Sequence, residues 1–478
     1  MFTYINQQSQ IPENATLIIL SKEMSQNALQ NFSDDEKNYM EVQFVRHKNR
    51  SFYFNKLSHQ LFLEIAEVKE NHEHFIESLR LIADRLVNCL QQAKVQEVYV
   101  QAYDFDKDEI LAFAEGLVLA NYSFVAYKTD KEKSARYLEI IQLVSNNIKQ
   151  ADLDELNIVT EATLTARTLV NQPVNYLNAV GLAEEIKTMA EDVGAKVEIL
   201  NKSKIEALKM GGLLAVNQGS IDPPTFSIVE YKPENAVNKK PLVFVGKGVV
   251  YDTGGLNIKT GEFMNNMKSD MGGAAAAVSS IYAIAKAKLP LYVIALIPAT
   301  DNRPGQVAYA SGDVITMFDG QTVEVINTDA EGRMILADAL AYAKKFDPML
   351  VIDLATLTGS AVRAIGHLGV VAMGANSDSF MEQLKLSGER TSERIVEFPF
   401  WDEYAEELKS EIADMIHLGG AEGGAITAGK FLEKFTDYPY IHLDIAGPAF
   451  TTKRINYRGI GGTGVGVRLL FDFAKSLV

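Results

Sequence analysis

Between residues 241 and 355 short apolar runs alternate with helical stretches, and this alternation restricts the fold more than any other feature of the chain. The runs are "PLVFVG" (241–246), "LYVIALI" (291–297), "TVEVI" (322–326) and "LVIDLA" (350–355), with helical stretches at 271–288 and 331–346 between them. Short links between alternating strands and helices predict a mainly parallel central sheet flanked by helices. In such sheets the ligand crevice opens beyond the carboxyl ends of the strands. The strand ends are therefore where chemistry is to be sought.

At 478 residues the chain exceeds one ordinary core. The expected fold class is α/β in two domains, a smaller N-terminal α/β domain over 1–150 and a larger C-terminal one over 176–478. A helix over 151–175, stopped before Pro173, connects them. The first region mixes strand-like "TLIIL" (16–20) and "EVYV" (97–100) with the amphipathic helix "FIESLRLIADRLVNCLQQ" (75–92). His72 and His74 lie there in an acidic stretch with no third ligand nearby, which reads as a solvated helix start. The single cysteine, Cys89, excludes an internal disulfide and is expected to be a buried apolar residue.

A hydrophobic fraction of 47% suits a soluble globular protein, and a net charge of −16 opposes binding to nucleic acid. The opening "MFTYINQQSQIPENATL" lacks the pattern of a signal peptide. The longest apolar run, "PLYVIALIPA", is well short of the ~20 residues of a membrane span. A cytoplasmic protein with no membrane partner is expected.

Charge collects at the strand ends. "KGVVYDTGGLNIK", directly after "PLVFVG", holds Lys247, Asp252 and Lys259 around Gly254 and Gly255. Asp270 follows in "MKSDMGGAAAA", where small residues let a helix press on the sheet, and "VINTDAEGRMILADAL" adds Asp329, Glu331 and Arg333. Singly, each reads as a loop charge or a helix cap, Asp270 included. Together, four acids in one crevice repel each other unless cations balance them, and two divalent ions do so economically. No histidine falls within 245–360, and His367 reads as a packing or supporting residue. An oxygen-rich site suits Mg²⁺ or Mn²⁺, while a neutral lysine nitrogen draws it towards Zn²⁺ or Co²⁺. Two ions about 3.5–4 Å apart activate a shared water for hydrolysis. Spacing alone leaves a peptidase and a phosphoesterase both open.

These residues also carry a likeness. "NTDAEGRMILADAL" resembles the signature of the leucine aminopeptidase (cytosol aminopeptidase) family of dinuclear metallopeptidases. "VGKGVVYDTGGLNIK", "MKSDMGGAAA", "DLATLTG", "GGAITAGKFLEKF", "HLDIAG" and "GTGVGVRLL" resemble further family segments in the family's order. The likeness covers about 165–478; "YDTGG" and "ASGDV" depart from the family's usual wording without changing a charged residue.

The resemblance implies an aminopeptidase acting on short peptides, leucine-like residues preferred, and makes Lys247, Asp252, Asp270, Asp329 and Glu331 the ligands of two divalent ions. Asp252 and Glu331 would bridge them, Asp329 would serve one, and Lys247 with Asp270 the other. The lysine would ligate as a neutral amine, so the ions must depress its pKa far below ~10.4. By the same likeness, Lys259 stays protonated and stabilises the oxyanion, and Arg333 holds a bicarbonate ion acting as general base. Met267, Thr356, Leu357 and Gly359 match positions lining the pocket for the N-terminal side chain or holding the substrate backbone. Zinc or manganese, a homo-hexamer, and an N-terminal domain that helps build it are further implications.

Three other readings compete. "GGAITAGKF" (423–431) approaches a phosphate-binding loop, but Phe431 stands where a hydroxyl should be, and a helix packed through Gly and Ala accounts for it better. A two-metal phosphoesterase would use Lys259 and Arg333 to hold a phosphate. A DNA-binding regulator, a role some family members have, is opposed by the net charge and the lack of a basic block.

Overall fold

The computed structural model describes residues 2–130 and 136–478. Two compact units emerge, Met1–Glu161 with Arg454–Gly459, and Ala162–Lys453 with Ile460–Val478. The division falls inside the helix Gln150–Asn171, which ends before Pro173.

In the first unit β1 (Tyr4–Gln8), β2 (Leu17–Ser21), β3 (Ser51–Asn55), β4 (Gln60–Ile65), β5 (Glu97–Tyr103) and β6 (Ile140–Val144) form one sheet, ordered β1-β6-β5-β2-β4-β3. Every pairing is parallel except the β3–β4 hairpin. Two helices, His72–Gln92 and Lys107–Ala120, cross at Gly116, where an added Cβ would lie 2.7 Å from the Arg80 Cα. Buried Arg80 and Glu115 pair across that crossing, Nε to Oε2 at 2.5 Å. The late segment completes this unit: buried Tyr457 donates its hydroxyl to Glu77 Oε2 at 2.8 Å. Cys89, expected inside, is exposed. The helix buries Leu86, Val87 and Leu90, and position 89 falls off that stripe.

The second unit contains β7 (Lys196–Leu200), β8 (Thr225–Tyr231), β9 (Leu242–Gly246), β10 (Gly248–Asp252), β11 (Val293–Asn302), β12 (Val314–Thr316), β13 (Thr322–Glu324), β14 (Leu350–Ala355), β15 (Val370–Ala375), β16 (Ile395–Glu397), β17 (Met415–Ile416) and β18 (Tyr440–Asp444). Nine build one sheet, ordered β16-β15-β18-β14-β9-β11-β8-β7 with β10 beside β11. Its centre, β18-β14-β9-β11, is parallel, and β8, β7 and β15 join antiparallel. β9 and β14 are buried along their whole length, as a strand between two helical layers must be.

The run "TVEVI" is not a strand of this sheet. Only Thr322–Glu324 is extended, and it pairs with β12 and β17 in a separate three-stranded sheet. Its alternation of apolar and polar residues suits a half-covered strand rather than a central one. The helix Gly424–Glu433 replaces the phosphate-loop reading: buried Lys430 pairs with Glu433 at 2.8 Å and Asp402 at 3.1 Å. His367, read as a packing or supporting residue, is exposed. No described helix is long and apolar enough to cross a membrane.

Candidate metal centre

The helix Gly272–Lys286, "GGAAAAVSSIYAIAK", lies almost wholly buried against the sheet. Its small residues permit this: a Cβ on Gly273 would sit 1.9 Å from the Leu354 carbonyl oxygen, and one on Gly246 2.6 Å from the Ala274 Cα. The Lys247 peptide is held in the gap, its N–H donating to Leu354 O at 3.0 Å and its carbonyl accepting from Ala274 N at 2.9 Å. The Lys247 side chain runs under Gly332, where a Cβ would meet Lys247 Cε at 2.5 Å. Its Nζ stands 2.7 Å from Asp270 Oδ1 and 3.0 Å from Glu331 Oε1, and donates to Thr356 O at 2.9 Å.

Asp252 ends β10, and its Oδ1 accepts from Gly254 N and Asn302 Nδ2, both at 2.8 Å. Asn302, at the end of β11, also donates to Thr328 O at 2.9 Å and so ties the β10 turn to the 327–331 loop. Thr328 strengthens the tie, donating to Gly254 O at 2.6 Å and accepting from Asn257 N at 2.9 Å. Gly255 must be glycine here, with φ +63° and an added Cβ 2.8 Å from Asn302 Oδ1. Lys259 Nζ then lies between Asp252 Oδ2 at 2.8 Å and Asp329 Oδ1 at 2.5 Å.

The five expected ligands and Lys259 are thus one cluster. Burial, reinforced by Glu331 and Asp270, pushes Asp252 well above the ordinary carboxylate range against the pull of Lys259 and Lys247. Asp270 rises to about 7, chiefly through burial. Burial opposes the charges of Lys247 and Lys259, yet the surrounding carboxylates outweigh it and hold both ammonium groups protonated. Three buried carboxylates, Asp252, Asp270 and Glu331, and the half-exposed Asp329 therefore share two lysines. Asp270 Oδ2 and Glu331 Oε2 remain buried without a hydrogen-bond partner among the described residues. Oxygens of Asp252, Asp329 and Glu331 also lie within 4.8 Å of one another. This donor set fits divalent cations, since it gathers hard carboxylate oxygens, two of them buried and unpartnered, within reach of one another.

Arg333 is buried two residues beyond Glu331 in the same helix. Its Nη1 donates to His417 O at 2.7 Å, its Nε has no hydrogen-bond partner among the described residues, and burial lowers its pKa to about 10. His417 is the histidine that local spacing could not supply. Its Nδ1 accepts from Ile326 N at 3.2 Å and its Nε2 lies 2.9 Å from Asn327 O, so the ring is neutral and carries its proton on Nε2. Burial and nearby Arg333 push its pKa down to about 4.

The expected substrate residues are less uniform. Thr356 Oγ1 donates to Asp270 Oδ1 at 2.8 Å, and Met267 O accepts from Asp270 N at 3.3 Å, so both border the cluster. Leu357 is half-buried against the main core, and Gly359 is exposed at the start of the helix Gly359–Ile365. Asp444, at the end of β18, accepts from Thr358 Oγ1 at 2.7 Å and Leu357 N at 3.3 Å and holds this loop. Asn302 and Asp444 both end strands, a signal that a search of strand ends extended to β11 and β18 would have caught.

A model of the catalytic domain of the cytosol aminopeptidase family matches residues 164–471, which include the entire cluster. The chain belongs to the cytosol aminopeptidase family. A "Probable cytosol aminopeptidase" of Chlorobium phaeobacteroides is 46% identical over 376 residues, 76% of this chain and 74% of that one. One from Geobacter sulfurreducens is 41% identical over 408 residues, 84% and 82% of the two chains. Among solved structures, a tomato leucine aminopeptidase mutant aligns with a TM-score of 0.88 at 26% identity, covering 99% of this chain and 96% of the other. The bottromycin maturation enzyme BotP, in complex with Mn, aligns at 0.85 and 27% identity, covering 97% and 99%. The enzyme is accordingly a metal-dependent aminopeptidase, a hydrolase of peptides on a two-domain α/β fold.

Proposed function

We propose that the enzyme removes N-terminal residues, leucine-like ones preferred, from short peptides with two divalent ions, zinc or manganese, and a bicarbonate ion. The excess of buried carboxylate carries this reading, because Asp270 Oδ2 and Glu331 Oε2 have no partner among the described residues in a cluster sharing two lysines. Asp252, Glu331, Asp329 and Asp270, with Lys247 as a neutral amine, would hold the two ions. Bound there, the ions supply Lewis-acid polarisation of the scissile carbonyl and a lowered pKa for water.

Lys247 must lose its proton to become a ligand, and the charge that now keeps it protonated is carboxylate charge that the ions would neutralise. Lys259 keeps its proton and donates a hydrogen bond to the oxyanion that develops on the substrate. Arg333 holds the bicarbonate, whose chemistry is that of a base; its unpartnered Nε supports this role. Met267, Thr356, Leu357 and Gly359 shape the site for the N-terminal residue. A homo-hexamer built with help from the N-terminal domain, acting in the cytoplasm, completes the proposal.

The test is leucyl-amide hydrolysis by protein stripped with a chelator, then resupplied with Zn²⁺, Mn²⁺, Co²⁺ or Mg²⁺, with and without bicarbonate. Activity is expected to vanish and to return with Zn²⁺ or Mn²⁺, more fully with bicarbonate. Folded, metal-loaded protein that cleaves no N-terminal residue from a panel of short peptides would overturn the reading.

A further inference from the structure

Beside the loop that carries Thr356 and Gly359 lies a cavity of about 340 Å³, open to solvent and outside the carboxylate cluster. Its floor is apolar, from Ala364, Phe398 and Ile426, and its polar groups are Ser360 and Arg363. No Asp or Glu lines it, although the chain has 62 acidic residues against 46 basic ones. The Arg363 guanidinium folds back across Gly359, with Nη1 3.3 Å from where a Cβ of that glycine would be. Its Nη2 donates to Ser360 Oγ at 3.2 Å, and no carboxylate of the described residues pairs with it. An arginine fork in an acid-free cavity suits a carboxylate, which it can bind through two parallel hydrogen bonds.

The cavity is within reach of a substrate. Four links separate Thr356, which touches Asp270, from Ser360, so the two lie at most about 14 Å apart. An extended tri- or tetrapeptide spans a comparable length. We propose that Arg363 and Ser360 form a subsite for the C-terminal carboxylate of a short peptide, with the apolar floor receiving the stem of its last residue. This rests on the aminopeptidase reading and deepens it: the enzyme measures its substrates at both ends. An acidic side chain near the peptide's end offers the same chemistry, and the test separates the two sources.

The holoenzyme is assayed with Leu-Gly-Gly, its C-terminal amide, and Leu-Gly-Asp amide, and kcat/KM is compared within each enzyme preparation. A charge-assisted arginine contact predicts a free-acid preference over the amide of about tenfold or more. Recovery of rate by the Asp-containing amide assigns the subsite to carboxylates generally; no recovery restricts it to the C-terminus. Arg363→Gln should bring the acid-to-amide ratio close to one, and Arg363→Glu should invert it. An acid-to-amide ratio near one in the natural enzyme, or one that survives Arg363→Gln, overturns the subsite while leaving the aminopeptidase intact. Failure to cleave any of the three peptides strikes the aminopeptidase reading itself.

Discussion

The two units are built alike and treat buried charge differently. Each has a largely parallel sheet with helices against it, and each buries ionisable side chains. In the first unit buried Arg80 meets Glu115 at 2.5 Å and Glu77 at 3.4 Å, half-buried Lys22 meets Glu109 at 2.9 Å, and no buried carboxylate oxygen among the described residues of that unit lacks a hydrogen bond. In the second, Lys247 and Lys259 each lie between two carboxylates, and oxygens of Asp270 and Glu331 are left over. Buried charge whose oxygens are all satisfied serves packing, whereas carboxylate oxygens left over mark a place prepared for something else.

Breaking the second arrangement should cost function more than folding. Lys247→Arg is expected to lower kcat/KM on leucyl amide by about a thousandfold or more, because a guanidinium cannot become a neutral ligand. Steady-state kinetics beside a melting curve that moves little would confirm it; a variant that retains a tenth of the activity would refute ligation by Lys247.

Breaking the first arrangement should do the reverse. Glu115→Ala removes the nearer of the two carboxylates of buried Arg80, leaving Glu77 at 3.4 Å, and should destabilise the protein by about 3 kcal/mol in denaturant unfolding. The folded fraction should keep its kcat, and a loss of kcat per folded molecule would erase the contrast between the units.

Glu64 sharpens the comparison because it is buried in the first unit without a close cation: Ser51 Oγ donates to it at 2.6 Å, and Arg85 lies 3.9 Å away. Burial pushes its pKa from 4.5 up to about 7. The folded protein therefore holds this proton where the unfolded chain has released it, so its contribution is greatest below pH about 4.5 and is lost as pH rises through 7. Glu64→Gln should stabilise the protein by about 1–3 kcal/mol at pH 8 and little at pH 4. Equal effects at both pH values would contradict the assignment.

The mildest effect belongs to Asn302, which neither ligates nor donates to substrate in the proposed scheme. Asn302→Ala should reduce kcat about tenfold by loosening Asp252 against the 327–331 loop. Unchanged kcat would mean that Thr328 alone holds that loop.

The sequence revealed the sheet's centre and the charged cluster for one reason: both are local. β9 and β14 are continuous apolar runs of the kind that only a doubly covered strand tolerates, and the charged residues stand in short stretches, Lys247 and Asp252 just past β9 and Asp329 and Glu331 just past β13. "TVEVI" misleads by its hydrophobicity, because its alternation is that of a half-covered strand. Cys89 misleads by its residue type, because its place off the helix's apolar stripe decides its exposure. His417 and Asp444 could not be read from spacing, since each lies more than 80 residues along the chain from what it holds. Their roles exist only after the small sheet brings β17, and the large sheet β18, beside the earlier loops.

The first unit borrows Arg454–Gly459 from near the end of the chain, and this has a consequence for biosynthesis. Its body, ending at Glu161, leaves the ribosome about 290 residues before that segment does, roughly 15–60 s earlier at ordinary translation speeds. Throughout that interval Glu77 waits for the Tyr457 hydroxyl. The nascent N-terminal unit is thus an unfinished object whose last piece arrives after nearly all of the catalytic unit has been made, and a fragment ending at residue 161 would carry the same gap permanently.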